Sequence, residues 1–112
     1  MNKYLIAIII IILAVAWALG NETPYETRLA NAIYRAEGGA HTVWPYGIKQ
    51  RFQHTTPRQA CINTIRHQMR NWEADGRPAI FVDYLADRYC PKSADPIGHA
   101  KWIKNVSYFM QD

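Results

Sequence analysis

The sequence predicts a small, mainly α-helical domain that follows an apolar N-terminal segment. Two observations support this prediction. Apolar residues recur at helical spacing along most of residues 21–112, and a threonine or aspartate followed by proline stands where three of the helices would begin. These side chains cap the free N–H groups of a first turn, and proline suits the first helical position. With 112 residues, the chain is long enough for one domain.

The first twenty residues form the apolar segment. No charged residue interrupts positions 4–19, Lys3 precedes them, and the small residues Ala18 and Gly20 lie at the end. This pattern predicts a secretory signal peptide, and an uncleaved N-terminal membrane anchor is the alternative. Either one predicts export to the periplasm or medium, with attachment to the inner membrane if the segment is retained. The folded domain is therefore assigned to residues 21–112.

Four helices are predicted, each with start and stop signals. They span approximately residues 23–37, 56–75, 79–89 and 95–110. The first opens with a capping box between Thr23 and Glu26, and a pair of glycines ends it. Trp72 and Trp102 fall on apolar stripes and are assigned to the core. Residues 38–55, between the first two helices, are expected to form a short β-hairpin or an irregular loop.

Charge and cysteine content narrow the class of protein. The formal net charge is +4, of which Lys3 contributes one, and this mild excess suits an acidic polymer better than nucleic acid. In an exported domain of this size, Cys61 and Cys90 are predicted to form a disulfide. The histidines are scattered and are interpreted as surface or loop residues, namely His41, His54, His67 and His99. No metal site and no cofactor are expected.

Glu37 is the strongest candidate for chemistry. It ends the first predicted helix, on the same side as Ala30 and Ile33. The negative end of the helix dipole disfavours a carboxylate there, and partial burial would add to that effect, so both favour a protonated acid. A protonated acid is what general-acid cleavage of a glycosidic bond requires. The alternative is an ordinary, exposed glutamate at a helix end.

Two short segments carry a resemblance to a known family. Residues 32–39 read Ala-Ile-Tyr-Arg-Ala-Glu-Gly-Gly, and residues 45–50 read Pro-Tyr-Gly-Ile-Lys-Gln. Together they resemble the lysozyme-like superfamily, and within it the lytic transglycosylases and goose-type lysozymes. In those families the catalytic glutamate ends a helix, and a Gly-Leu-Met-Gln-like segment follows. Here Gly38 replaces the usual serine after the glutamate, and Lys49 replaces the methionine.

The resemblance implies a lysozyme-like fold with Glu37 as the catalytic residue. Aromatic and loop residues are expected to bind the substrate, namely Tyr34, Trp44, Tyr46, Gly47, Ile48, Gln50 and Tyr89. No aspartate or glutamate occurs between Glu37 and Glu73. Because two-carboxylate glycosidases need a nearby partner acid, this absence favours a mechanism with a single carboxylate. The transglycosylase resemblance then implies a 1,6-anhydro sugar product, and hydrolysis is the competing outcome.

The sequence as a whole predicts a peptidoglycan-cleaving enzyme that acts on the MurNAc-GlcNAc bond. Its partners would be the glycan strands of the wall, and the membrane if the N-terminal segment is retained. The alternative is a catalytically degenerate module of the same fold that binds peptidoglycan or a protein partner. The short interval between Glu37 and Gly47 and the missing serine after Glu37 favour that alternative.

Overall fold

The computed structural model describes residues 20–111, so the predicted signal peptide or anchor lies almost wholly outside the described residues. The helices are α1 (Pro24–Ala36), α2 (Pro57–Ala74), α3 (Phe81–Tyr89) and α4 (Pro96–Met110). Two 3₁₀ turns lie between α1 and α2, at Gly39–His41 and Pro45–Gly47. No β-strand occurs within 20–111, so a loop rather than a hairpin follows α1. Over the same residues, no helix has both the length and the apolar character to cross a membrane.

The helix starts follow the local chemistry of their capping residues. The backbone N–H of Glu26 donates to Thr23 Oγ1 at 3.1 Å, and Glu26 Oε1 accepts from the Thr23 N–H at 2.8 Å. Thr56 and Asp95 each accept a hydrogen bond from the backbone N–H three residues later. The three predicted caps are therefore confirmed. The start of α3 is Phe81, two residues later than predicted, and no side chain caps it.

Helix α1 lies at the centre of the domain, against α4, α2 and the second 3₁₀ turn. The largest fully buried side chains come from all four helices, namely Leu29, Ile33, Cys61, Ile62, Ile65, Leu85 and Val106. Burying one leucine or isoleucine contributes about 1.5–3 kcal/mol. Because this burial extends along α1, it fixes the position of the end of the helix, where the candidate acid lies.

Two ion pairs join the start of α1 to α2. Arg66 Nε lies 2.7 Å from Glu26 Oε2, and Arg58 Nη2 lies 2.7 Å from Glu22 Oε1. Burial alone would raise the pKa of the Glu26 carboxyl, but hydrogen bonds from Arg66 and the Thr23 backbone hold that pKa below its usual value. These contacts fix α1 at the end opposite to Glu37.

Cys61 and Cys90 are free thiols in this structure, contrary to the predicted disulfide. Cys61 is buried on α2, with its Sγ 3.5 Å from the hydroxyl of Tyr89. Cys90 follows α3, and its Sγ lies 3.9 Å from the backbone oxygen of Asp95. The sulfurs thus pack against different neighbours. Burial raises the pKa of Cys61 to about 11, so this thiol carries little thiolate near neutral pH.

His99 is buried rather than exposed, which corrects the prediction made for it. The Nδ1 atom of His99 lies 2.8 Å from the backbone oxygen of Cys90 and 3.4 Å from Asp87 Oδ1. The last carbonyls of a helix lack partners within the helix, and Cys90 directly follows α3. The His99 imidazole and the Cys90 carbonyl therefore serve as hydrogen-bond partners for each other at the junction of α3 and α4. The other three histidines are exposed, as predicted.

The free thiols predict a specific alkylation pattern. In native protein purified without reductant, iodoacetamide should modify Cys90, while Cys61 stays protected because it is buried and protonated. In denaturant, still without reductant, both should react, giving two additions by mass spectrometry. The Cys90→Ser variant should react only after denaturation. Denatured protein that takes up iodoacetamide only after reduction would instead contain the disulfide.

Candidate functional site

Glu37 lies where α1 ends, as predicted. Its backbone N–H still donates to the Ile33 carbonyl at 2.9 Å, so the residue stays attached to the last helical turn. Gly38 and Gly39 then adopt left-handed conformations, with φ of 104° and 55°, and turn the chain away from the helix axis. The Glu37 side chain is partly buried. The carboxylate therefore has a fixed place within the fold, and it does not extend into open solvent.

Trp102 on α4 holds this carboxylate. Its indole Nε1–H donates to Glu37 Oε1 at 2.8 Å, and the Trp102 side chain is only 7% exposed. The sequence assignment of Trp102 to the core is right for the ring, but it missed the hydrogen bond. The available signal was general: a buried tryptophan usually needs an acceptor for its N–H. Which acceptor it meets depends on how α1 packs against α4.

Gly47 lies against the other side of the carboxyl group. A Cβ added to Gly47 would lie 2.8 Å from Glu37 Cδ and 2.9 Å from Oε2. Gly47 also has a φ of 69°, which glycine adopts without steric cost. Both the contact and the conformation therefore favour glycine here. The contact with Glu37 and the positive φ thus explain why glycine is the first residue of the segment Gly-Ile-Lys-Gln at residues 47–50.

Gly47 also lines a groove with a volume of about 280 Å³, while the Glu37 side chain lies behind this glycine and is not part of the lining. The groove is lined by Gly47, Ile48, Lys49, Gln50, Thr64, Arg88 and Tyr89. Four of the residues predicted to bind substrate are in this set, namely Gly47, Ile48, Gln50 and Tyr89. Thr64 and Arg88 were not predicted, because they come from α2 and α3 and only folding brings them to the loop. Among these described lining residues, there is no aspartate or glutamate.

Tyr89 connects the groove to the core. Its ring stacks on that of Trp102, with 5.0 Å between centroids and 18° between planes. Its hydroxyl lies 3.5 Å from Cys61 Sγ. Burial, the neighbouring thiol of Cys61 and the charge of Glu37 all raise the pKa of Tyr89, so this phenol stays neutral. Tyr89 therefore serves as groove wall and as support for Trp102.

Tyr34 and Tyr46 do not line this groove, and their role in substrate binding stays a prediction. Tyr34 borders a separate depression of about 420 Å³ between α1 and α4. Tyr46 is 8% exposed, and its ring centroid lies 5.1 Å from that of Tyr34. Its hydroxyl accepts a hydrogen bond from Arg58 Nη1 at 3.3 Å. Tyr46 has a φ of 60°, an uncommon conformation for a residue with a side chain, and its buried ring compensates for that cost. The pair holds the loop onto α1 and α2.

Trp44 borders a further, smaller depression of about 250 Å³. Phe52 lies on the same wall, and Ile48 and Gln50 are shared with the groove beside Glu37. The two depressions are therefore neighbours along the loop. The predicted role of Trp44 in lining a cleft fits this position, although the cleft is the adjoining one.

Comparisons with protein-family models, curated proteins and solved structures found no match to this chain. The chemistry of the site must therefore be argued from its own groups. Within residues 20–111, no cluster of three or more histidine, cysteine, aspartate or glutamate side chains is placed to hold a metal ion. A carboxyl group held through one oxygen, beside a groove, can donate and accept a proton.

The hydrogen bond from Trp102 predicts a measurable coupling. In the Trp102→Phe variant, most of the ring packing remains but the donor is lost, which leaves the partly buried Glu37 carboxyl group without this hydrogen bond, so the free energy of unfolding should fall by about 1–3 kcal/mol. Urea denaturation measures the change. Trp72→Phe is the matched control, because the Trp72 indole donates to the Ala79 carbonyl oxygen at 2.9 Å in an exposed position, where water can replace the donor. A loss no larger at Trp102 than at Trp72 would mean that the indole does not hold the Glu37 carboxyl group.

The contact at Gly47 predicts a second difference. Gly47→Ala should destabilise the fold for two reasons, namely strain at positive φ, on the order of 1–2 kcal/mol, and collision with the Glu37 carboxyl group. Gly76→Ala isolates the first effect, because Gly76 has a φ of 82° but no neighbouring atom within 4 Å of the point where a Cβ would lie. Urea denaturation should show the larger loss at Gly47. Equal losses would mean that the carboxylate is not held against this glycine.

Proposed function

We propose that this domain cleaves the glycan strands of peptidoglycan at the MurNAc-GlcNAc bond, with Glu37 as the single catalytic acid and base. The observation that carries the proposal is the partly buried carboxyl group at the end of α1, which is held through one oxygen and packs against Gly47, a residue that lines the groove. The resemblance of residues 32–39 and 45–50 to lytic transglycosylases agrees with it. The proposed fold assignment is accordingly lysozyme-like.

The two oxygens of Glu37 have different surroundings, which suits a proton-transfer role. Trp102 donates to Oε1, so Oε2 is the oxygen that carries the proton. The protonated acid gives this proton to the glycosidic oxygen as the bond from that oxygen to C1 of MurNAc breaks. The GlcNAc unit leaves with a free 4-hydroxyl group, and positive charge develops at C1 and the ring oxygen of MurNAc.

The second half of the reaction uses the same oxygen. The 6-hydroxyl of MurNAc attacks C1, and Glu37 Oε2, now ionised, accepts the hydroxyl proton. A 1,6-anhydro sugar forms, and Glu37 returns to its protonated state without water being consumed. The indole N–H remains on Oε1 throughout and stabilises the carboxylate between the two steps.

The composition of the groove supports this route over hydrolysis. Enzymes that use two carboxylates hold them about 5–9.5 Å apart, and the described residues that line the groove offer neither an aspartate nor a glutamate as a partner for Glu37. The substrate's own hydroxyl group needs no second protein acid to position a water molecule. Cys61 does not replace that acid, because its thiol is buried and its pKa is raised.

One observation favours the alternative function, a peptidoglycan- or partner-binding module that has lost catalysis. The backbone of Gly47 lies so close to the Glu37 carboxyl group that an added Cβ would come within 2.9 Å of Oε2. This proximity narrows the approach of a sugar oxygen to the proposed donor. Binding along the groove would not require that approach.

The proposed substrate lies outside the cytoplasm, so the activity requires export. The uncharged segment at residues 4–19 supports export by a signal peptide or by an N-terminal anchor in the inner membrane. The domain would then act in the periplasm or after secretion. No cofactor enters the proposed reaction.

The decisive test is mass spectrometry of the products formed from purified sacculi. The full chain should release anhydro-muropeptides, and Glu37→Gln should release none, because the amide cannot donate the proton. Glu73→Gln is the matched control, since Glu73 pairs with Arg77 on exposed helix surface away from the groove, and it should retain full activity.

The other outcomes distinguish the remaining functions. Products with reducing ends would identify a hydrolase. Equal product release by Glu37→Gln and the parent would exclude catalysis by this residue. Binding to sacculi without any product would identify the binding module.

A further inference from the structure

We infer that Lys49 and Arg88 bind carboxylate groups of the substrate, so that the groove selects an acid-bearing glycan over a neutral glycan with the same sugar backbone. This inference deepens the proposed function and rests on it, because it names the substrate class of the same groove. Lys49 and Arg88 would act in binding the substrate, whereas Glu37 would act in breaking the glycosidic bond. The two can therefore be tested separately.

The first step is the charge of the groove. Lys49 and Arg88 both line it, and no carboxylate does so among the described residues. Neither cation is paired with an acid in residues 20–111, whereas Arg58, Arg66 and Arg77 each contact a glutamate. The lining of the groove therefore carries two cations and no acid, and the Glu37 carboxyl group, which packs against Gly47, is not part of that lining. A concave surface lined by charge of one sign attracts ligands of the opposite sign.

The second step is the placement of the two cations. Lys49 is exposed on the loop after α1, and Arg88 is exposed on the last turn of α3, next to Tyr89 in sequence. Their positions are set by separate parts of the fold. An arginine guanidinium pairs with a carboxylate through two parallel hydrogen bonds, and a lysine ammonium acts as a compact point charge.

The third step is the neutral remainder of the groove. Gln50 carries an amide that donates and accepts, and Thr64 Oγ1 donates to the Ala60 carbonyl at 3.0 Å, which leaves its oxygen able to accept. These groups suit the hydroxyl and acetamido groups of a sugar or the amides of a peptide. The whole set fits a polar ligand that also bears acid groups.

Peptidoglycan matches this chemistry. Its backbone is a β-1,4-linked chain of N-acetylated sugars, like that of chitin, but the peptides attached to its lactyl groups carry free carboxylates, as does any lactyl group without a peptide. A groove with neutral polar groups alone would accept both polymers. The cations supply the difference in affinity between them.

The test measures binding of the Glu37→Gln full chain to sacculi by co-sedimentation, so that no substrate is consumed. The Lys49→Gln/Arg88→Gln double change should weaken binding by about 10-fold or more, as expected when charge-assisted hydrogen bonds are lost. The matched control is Arg70→Gln/Lys92→Gln, which removes two exposed cations outside the groove and should bind like the parent.

A second probe identifies the groups that are recognised. Sacculi whose carboxyl groups have been converted to neutral amides, and chitin, should bind the parent as weakly as native sacculi bind the double variant. On these probes, the double variant and the parent should bind alike. Increasing salt should weaken binding of the parent to native sacculi and affect the double variant much less.

Three results would overturn the inference. In the first, the double variant binds native sacculi as tightly as the parent does. In the second, the double change weakens binding to amidated sacculi by the same factor as it weakens binding to native sacculi. In the third, the parent does not bind sacculi at all. Product analysis of the chain with Glu37 intact reports on the proposed function independently. Anhydro-muropeptide release with unchanged binding by the double variant would leave catalysis standing and refute carboxylate recognition.

Discussion

The hydrogen bond from the Trp102 indole to Glu37 is the contact on which the site depends. A carboxylate at a helix C-terminus faces the negative end of the dipole, and partial burial removes water that would otherwise solvate it. Trp102 offsets part of this cost with a neutral donor. The contact spans 65 positions in the sequence, and it forms because α4 packs along α1. The stacking of Tyr89 on Trp102 then fixes the indole and one wall of the groove together.

The features predicted correctly depend on local chemistry. A capping side chain, a proline and an apolar stripe act within a few residues, so the starts of α1, α2 and α4 were readable from the sequence. The position of Glu37 at the end of α1 follows from the paired glycines after it. The start of α3 was placed too early, since it has no side-chain cap that would mark it.

The features missed depend on distant contacts. Nothing in the spacing of Trp102 and Glu37 indicates that they meet, and Arg88 reaches the groove only through the packing of α3. Tyr46 was expected in a cleft because no apolar stripe surrounds it, yet tertiary packing buries its ring against Tyr34. The disulfide between Cys61 and Cys90 was predicted from the number of cysteines and the expected export of the domain. In the fold, each sulfur packs against a different neighbour.

The loop after α1 separates its inward and outward residues. Tyr46 packs onto the helices and Gly47 contacts the carboxyl group from the groove side, whereas Lys49 and Gln50, which follow after Ile48, are exposed at the groove. The inward pair is constrained by its backbone conformation and contacts, while the outward pair makes few contacts that stabilise the fold. Substitutions at the outward positions would therefore accumulate at little cost to folding. Over evolutionary time, this arrangement would allow ligand preference to diverge while the framework around the acid stays the same.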